Sequence, residues 1–423
     1  MILESKQIQQ FLQNNISHKL SHFKKISLSR NSNSLIFLLK VYKHIEQCSL
    51  YWDENNIIKH EELDSRFIPK GKYYHYCPDR IKDYLSEINT IGRTYMFSIF
   101  ERKIKVSMVY QVPSEKITKT ELKKVGIMFN ERIRQIYILL CLLQSYSKKQ
   151  CSRTLHIFLY FTDLKKTIKD CDDFEEDKCI LGQNSVNTAF TFSCKEDNEV
   201  YLYREEEWFK VLTHELFHSF NLDFSDMDDT EINKKIHSIF PIQNIDLRLY
   251  ESYCEIWAEL LNIIFIVFFT SSPSMNDNDD KIIQKITNYI HDERLFSVFQ
   301  ASKVLTHMGL SYEDLYSKSY ESIQKRLDLY KEKTPIFSYY IIKNILFFHF
   351  NDFIEWFIKD NGHTFQLNKD NIDRFINFIR EHYQKSDMVH TMNDLRTWFL
   401  KQENNQRADK KPLYTLRMTL HQL

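Results

Sequence analysis

Residues 208–224 read WFKVLTHELFHSFNLDF, with His214, Glu215 and His218 near the centre. On an α-helix, positions four apart lie on one face one turn apart, so the two imidazoles can grip one metal ion while Glu215 projects beside it. This is the H-E-x-x-H arrangement of zinc hydrolases. Zinc takes neutral imidazole nitrogens at about 2.0–2.1 Å in tetrahedral geometry, and a catalytic site keeps one position for water. A third protein ligand has to come from elsewhere in the chain.

A compact solution places that ligand six residues past the second histidine, as in H-E-x-x-H-x-x-G-x-x-H. Here Asn221 takes the glycine position and Phe224 the ligand position, while Asp223 stands one residue early, which disfavours it. The other solution is a glutamate on a separate downstream helix. Residues 250–259, YESYCEIWAE, carry Glu251, Glu255 and Glu259 at i, i+4 and i+8 within a stretch otherwise as apolar as IWAELLNIIFIVFF. A face of acids there is costly unless it meets cations or a metal. Two registers of Glu-x-x-x-Glu fit, Glu251 to Glu255 and Glu255 to Glu259; the first, which the gluzincin resemblance given below favours, sets small Cys254 and Ala258 on the packed side. Under the preferred register Glu259 is expected to pair with a lysine or arginine, Arg248 being the local candidate. Upstream, the run Glu205–Glu207 is expected to complete the first turn of the histidine helix, where carboxylates meet the positive end of its dipole.

Upstream of the histidines, residues 94–100 and 104–112 are rich in aromatic and β-branched types and read as a β-hairpin turning at 101–103. A long helix is expected over 118–147, with Leu122, Val125, Phe129, Ile133, Ile136, Tyr137 and Leu140 as one stripe. Strands follow at 154–161, 186–192 and 199–204. Downstream, helices are expected at 232–239, 247–269, 281–292, 295–307, 312–325, 337–357, 371–384 and 392–403. Residues 6–25 and 34–45 read as N-terminal helices, and 52–91 as a connector. The expected organisation is therefore an N-terminal helical and irregular region (1–91), an α+β lobe ending in the histidine helix (92–224), a helical lobe carrying the third ligand (225–403) and a tail (404–423).

The chain has 423 residues, 57 basic and 57 acidic side chains, and so no net field that draws it to nucleic acid. No basic segment leading into an apolar core opens the sequence, and the longest apolar runs are shorter than the roughly 20 residues that span a bilayer. The expectation is a cytoplasmic protein bound neither to membrane nor to nucleic acid. Eight cysteines without a C-x-x-C pair are expected to be reduced thiols.

HELFH followed by ESYCEIWA resembles the gluzincins, the thermolysin-like clan of zinc metallopeptidases. The resemblance implies a two-lobed zincin-like α+β fold, with a small mixed-sheet lobe and a larger helical lobe, and one catalytic Zn2+. It also implies His214, His218 and Glu251 as ligands, Glu215 as general base, and Glu255 as the acid that orients a ligand histidine. Residues 185–191, SVNTAFT, resemble the edge strand on which gluzincins hold an extended peptide, which makes Asn187, Thr188 and Ala189 candidates for substrate binding. The oxyanion donor is expected from PIFSYYIIKNILFFHF, with Tyr340 ahead of Tyr339 and His349. The block NEVYLYREEEWFKVLTHELFHSFNLDFS also resembles putative metallopeptidases of large DNA viruses, which would place the chain in a host cytoplasm or a virion. The expected partner is a peptide or protein substrate. The alternative is a catalytically inactive relative that serves as a protein-binding scaffold.

Overall fold

The hairpin expected from residues 94–112 is the spine of the one large sheet. The computed structural model describes residues 3–26, 32–53, 57–63, 68–112, 118–169, 173–175, 178–243, 245–271, 279–362, 364–403 and 411–423. In chain order the strands are β1 (Ile58–Leu63), β2 (Asn89–Ile99), β3 (Arg102–Val112), β4 (Thr154–Phe161), β5 (Asp173–Glu175), β6 (Lys178–Ile180), β7 (Ala189–Phe190) and β8 (Asp197–Leu202). Six of them form a mixed sheet in the order β1-β2-β3-β4-β8-β7. β5 and β6 pair separately as an antiparallel hairpin.

The chain divides into two compact units, one of residues 41–165 with 188–226, the other of 1–40, 166–187 and 227–423. The first holds the six-stranded sheet. β2 and β3 are antiparallel, Ile99 facing Arg102, with the turn at Phe100 and Glu101 and a left-handed backbone at Phe100 (φ 51). β3 and β4 are parallel, as are β4 and β8. A parallel neighbour needs a crossover, and the helix Lys119–Gln144 supplies it between β3 and β4. That helix starts at a capping box, in which Thr118 Oγ1 accepts from the Glu121 amide and the Glu121 carboxylate accepts from the Thr118 amide. Its stripe is buried from Val125 onward, whereas Leu122 is exposed. Residues 52–91, expected to be a connector, contain β1 and the helix Asp79–Glu87, whose Ile81 and Leu85 pack in a cluster with Val109, Phe158, Tyr160 and Tyr201.

The second unit is helical apart from the small hairpin. The expected helices at 281–292 and 295–307 are one continuous helix, Asp279–Met308. Residues 312–325 form a short 3-10 turn and then the helix Tyr320–Leu329. The expected helix 337–357 opens with a π-helical turn at Phe337–Ile342 and is interrupted at His349, giving Lys343–Phe348 and Phe350–Asn361. The end of the tail is core: Arg417, Thr419 and His421 are buried, and Glu293 accepts from the Leu420 and His421 amides at 2.7 Å and from Thr419 Oγ1 at 2.6 Å. Residues 404–410 of the expected tail lie outside the described residues. One helix, Leu249–Thr270, is long and apolar enough to cross a membrane, but 83% of its apolar window is buried within the protein, as in a core helix.

Candidate metal centre

The histidine helix runs from Trp208 to Ser219, ending five residues before the quoted stretch does. It follows β8 closely, the residue before it being Glu207 in a left-handed conformation (φ 60, ψ 20). The expected capping by the glutamates takes another form. Glu205 pairs its carboxylate with Arg132 at 2.5 Å, and Arg132 lies over the rings of Phe161 and Trp208. Every residue of the helix is buried except His218, which is half-buried. A helix enclosed on all sides holds its side chains in fixed rotamers, which a metal ligand set requires.

The Nε2 atoms of His214 and His218 lie 3.1 Å apart, with their rings at 77°. Two ligand nitrogens on a tetrahedral zinc ion, each at 2.0–2.1 Å, stand about 3.3 Å apart. The pair is therefore already at chelating distance. Behind His218, its Nδ1 lies 2.5 Å from Asp223 Oδ2, and the other oxygen of that fully buried carboxylate accepts from Ser225 Oγ at 3.0 Å. A carboxylate on Nδ1 holds the proton on that nitrogen and leaves the Nε2 lone pair for a metal. The two nitrogens of an imidazole point away from each other, so Asp223 backs His218 and does not share a metal with its Nε2.

Asp223 reaches this place because the chain doubles back after the helix. Asn221 adopts a left-handed conformation (φ 54), its amide bonds His218 O at 3.0 Å, and the Leu222 amide bonds Phe217 O at 2.8 Å. The helix end is anchored further by a buried polar cluster. Ser152 Oγ lies 2.6 Å from Ser219 Oγ, Asn198 Nδ2 donates to Ser219 Oγ at 3.1 Å, and the Cys194 amide donates to His218 O at 3.3 Å. Cys194 is joined to Cys151 by a disulfide, which corrects the expectation of reduced thiols at those two positions. The bond arises from strand pairing: β4 and β8 run parallel with Thr154 opposite Asp197, so the residues just before both strands are brought together across 43 positions of sequence. Cys48, Cys77, Cys141 and Cys254 are buried thiols outside any disulfide.

The glutamate helix runs Leu249–Thr270 in the other unit, and Glu251, Glu255 and Glu259 are all buried on it. Glu259 pairs with Lys343 at 2.8 Å, both fully buried, and Lys343 also donates to Met418 O. The expected partner was a cation, and it is Lys343; Arg248 pairs with Asp246 instead. Glu259 is the acid that the alternative register sets beside Glu255.

The strand expected at 186–192 is shorter. Residues Gln183–Val186 form a helical turn, Asn187 Oδ1 accepts from Thr334 Oγ1 at 2.9 Å, and Thr188 O accepts from the Tyr203 amide. Only Ala189 and Phe190 pair with β8, antiparallel, as the last strand of the sheet. Tyr340 is buried and donates its hydroxyl to Leu416 O at 2.5 Å, the position of a packed core tyrosine. Tyr339 is half-buried, and His349 lies in a histidine and aspartate cluster of its own.

Among the described residues, buried His, Asp, Glu and Cys side chains form groups whose donor atoms are close enough to hold a metal ion. No protein-family description, curated protein or solved structure matches the chain.

Proposed function

We propose that the chain is a zinc-dependent peptidase, with His214 and His218 as two ligands and Glu251 as the third. The observation that carries this reading is the histidine pair: two Nε2 atoms 3.1 Å apart, one ring held from behind by a buried carboxylate. A hydrogen-bonded pair of neutral imidazoles needs no such backing; a chelating pair does. Glu251 is preferred over Glu255 as the third ligand because the register with Glu255 needs Glu259 as its second acid, and Glu259 pairs with Lys343. Glu255, one turn along the same buried face, keeps the role that the gluzincin resemblance gives it, orienting a ligand histidine.

Bound zinc supplies Lewis acidity toward a scissile carbonyl and lowers the pKa of water toward 7. Glu215, next to His214 on the buried helix, takes the proton from the attacking water and passes it to the leaving amine. The edge strand β7 offers backbone groups for an extended peptide. The Tyr340 hydroxyl is committed to Leu416 O, so the oxyanion donor is left unassigned.

The test is zinc content and turnover measured together. The parent is expected to hold zinc at His214 and His218 and to cleave members of a fluorogenic peptide library. Glu215→Gln is expected to keep the zinc and lose cleavage by more than about 100-fold. Zinc retention in a His218→Ala variant at the parent level would overturn the ligand assignment. A zinc-loaded parent inert toward every peptide would favour the scaffold reading.

A further inference from the structure

A second group of metal-binding side chains lies wholly within the helical unit, where the helix expected over 337–357 is interrupted. His349 stands at the break (φ −98, ψ 42), Asp352 lies in the first turn of the helix that follows, and His382 ends the helix Lys369–His382. One donor atom from each lies within 4.8 Å of the other two. Ligand atoms on four-coordinate zinc stand about 3.3 Å apart, so closing this group asks for shifts of about 1.5 Å or less. Asp352, half-exposed, has the freedom to make them.

Two details of hydrogen bonding call for a cation here. His382 Nδ1 lies 2.7 Å from Phe378 O, which can only accept, so Nδ1 carries the proton. Its Nε2 then faces Asp352 Oδ2 at 2.9 Å, a lone pair against a carboxylate unless a positive charge lies between or on them. The second detail is His349. It is 8% exposed, and its Nε2 is buried without a hydrogen-bond partner among the described residues. A buried polar atom left unpaired costs about 1–3 kcal/mol and needs a reason. A proton on His382 answers the first detail only. One metal ion answers both.

The surroundings bear on which form the ligands take. Burial, with His382, Lys385 and Arg294 nearby, pushes His349 down to about 3, so it is neutral and its nitrogen is available. Arg294 spends its guanidinium on Phe347 O and Phe348 O. Lys385 is the competitor: its ammonium lies 2.9 Å from Asp352, and its half-exposed chain lets an incoming ion displace it to solvent.

We propose that His349, Asp352 and His382 bind one divalent transition-metal ion, zinc or an ion of like preference, at the junction of three helix ends. Two imidazoles and one carboxylate are a donor set for zinc rather than for calcium or magnesium, which take oxygen ligands. The site is separate from the histidine helix and does not depend on the peptidase reading.

The experiment uses the full chain carrying His214→Ala and His218→Ala, which removes the other histidine pair, with added zinc as the probe. This variant is expected to bind one zinc per chain with a rise in melting temperature, and cobalt in place of zinc is expected to give visible d–d absorption. Adding Asp352→Asn, a substitution at a half-exposed position that leaves packing intact, is expected to weaken zinc binding by more than about 100-fold, beyond the loss of an outer partner. His382→Gln is expected to do the same. A double variant that binds no zinc, or zinc affinity unchanged by Asp352→Asn and His382→Gln, overturns the proposal. A parent with one zinc and a double variant with none would refute this site and leave the peptidase reading standing; one zinc kept in both would do the reverse.

Discussion

Asp223 offers the most direct test of the proposed metal centre, because it is not itself an expected ligand yet holds one, His218, from behind. Its carboxylate meets His218 Nδ1 at 2.5 Å and Ser225 Oγ at 3.0 Å in a fully buried setting. Asp223→Asn keeps the shape: the amide oxygen can still accept from Nδ1–H while the amide nitrogen donates to the serine hydroxyl, which can also accept. What is lost is the charge. A hydrogen bond to a charged group contributes about 1.5–3 kcal/mol against about 0.5–1.5 for a neutral one, a difference of about 1–1.5 kcal/mol. At 1.4 kcal/mol per tenfold, zinc affinity should fall about 5- to 10-fold. Asp223→Ala removes the partner altogether and should fall further, toward 100-fold, the upper range for outer partners of metal-bound histidines. The assay is competition for zinc against a chromophoric chelator at fixed pH, with circular dichroism to confirm folding. The order parent, Asn, Ala, His218→Ala is expected. Parent-like affinity in Asp223→Ala, beside loss in His218→Ala, would refute the role of the carboxylate.

Three further outcomes follow from buried groups in the helical unit. Lys343→Met leaves Glu259 buried without its cation and is expected to cost about 3–5 kcal/mol in chemical denaturation, most of it recovered when Glu259→Leu is added. Burial holds Glu293 at about 7, above its ordinary 4.5, so the native state keeps a proton that the unfolded chain releases; stability should fall as pH rises from about 4.5 to 7, by up to about 3 kcal/mol, and then level off. Glu293→Gln should lower stability overall but flatten that slope, and an unchanged slope would count against Glu293 as its source. Tyr340→Phe should cost about 1 kcal/mol of stability through the lost bond to Leu416 O while leaving turnover per folded molecule unchanged; a fall in kcat alone would restore Tyr340 as an oxyanion donor.

What could be read in advance followed from period and local chemistry. β4 appears over its expected residues, the crossover helix Lys119–Gln144 starts one residue after the expected Thr118, and the glutamate helix keeps its three acids on one buried face. Mistakes arose where long-range contacts overrode local signals. β1 is an edge strand whose partner β2 lies some thirty residues on, so nothing in its own composition announces it. The helices expected at 281–292 and 295–307 are the single helix Asp279–Met308, within which Glu293 and Arg294 are buried, one by the returning C-terminal segment and the other by carbonyls at the His349 break. Buried charge in a helix interior looks like a boundary until its partners, more than fifty residues away, are known.

The site divides along the same line. H-E-x-x-H is legible because helical geometry alone puts i and i+4 on one face, and the distance between the two Nε2 atoms follows from that. A ligand at fixed spacing after the second histidine misses Asp223, whose place depends on a left-handed residue at Asn221, which turns the chain back beneath the helix. Asparagine adopts that conformation more readily than other non-glycine residues, so H-x-x-N-x-D after a helix was a signal for a carboxylate behind the second histidine. The same reasoning separates two kinds of acid in this chain. An acid within a turn or two of a histidine helix end can be placed from backbone chemistry, and Asp223 was of that kind. Glu251, Glu255 and Glu259 look alike in sequence, and the buried ammonium of Lys343 marks Glu259 out. Identical carboxylates on one helix face are distinguished by what lies opposite them, which is why exchanging the partner, as in Lys343→Met, tests the ligand register as sharply as mutating the glutamates themselves. If zinc stays bound in Lys343→Met with parent affinity, Glu259 is outside the site; a change in affinity measured where both proteins are fully folded moves the register one turn along the helix.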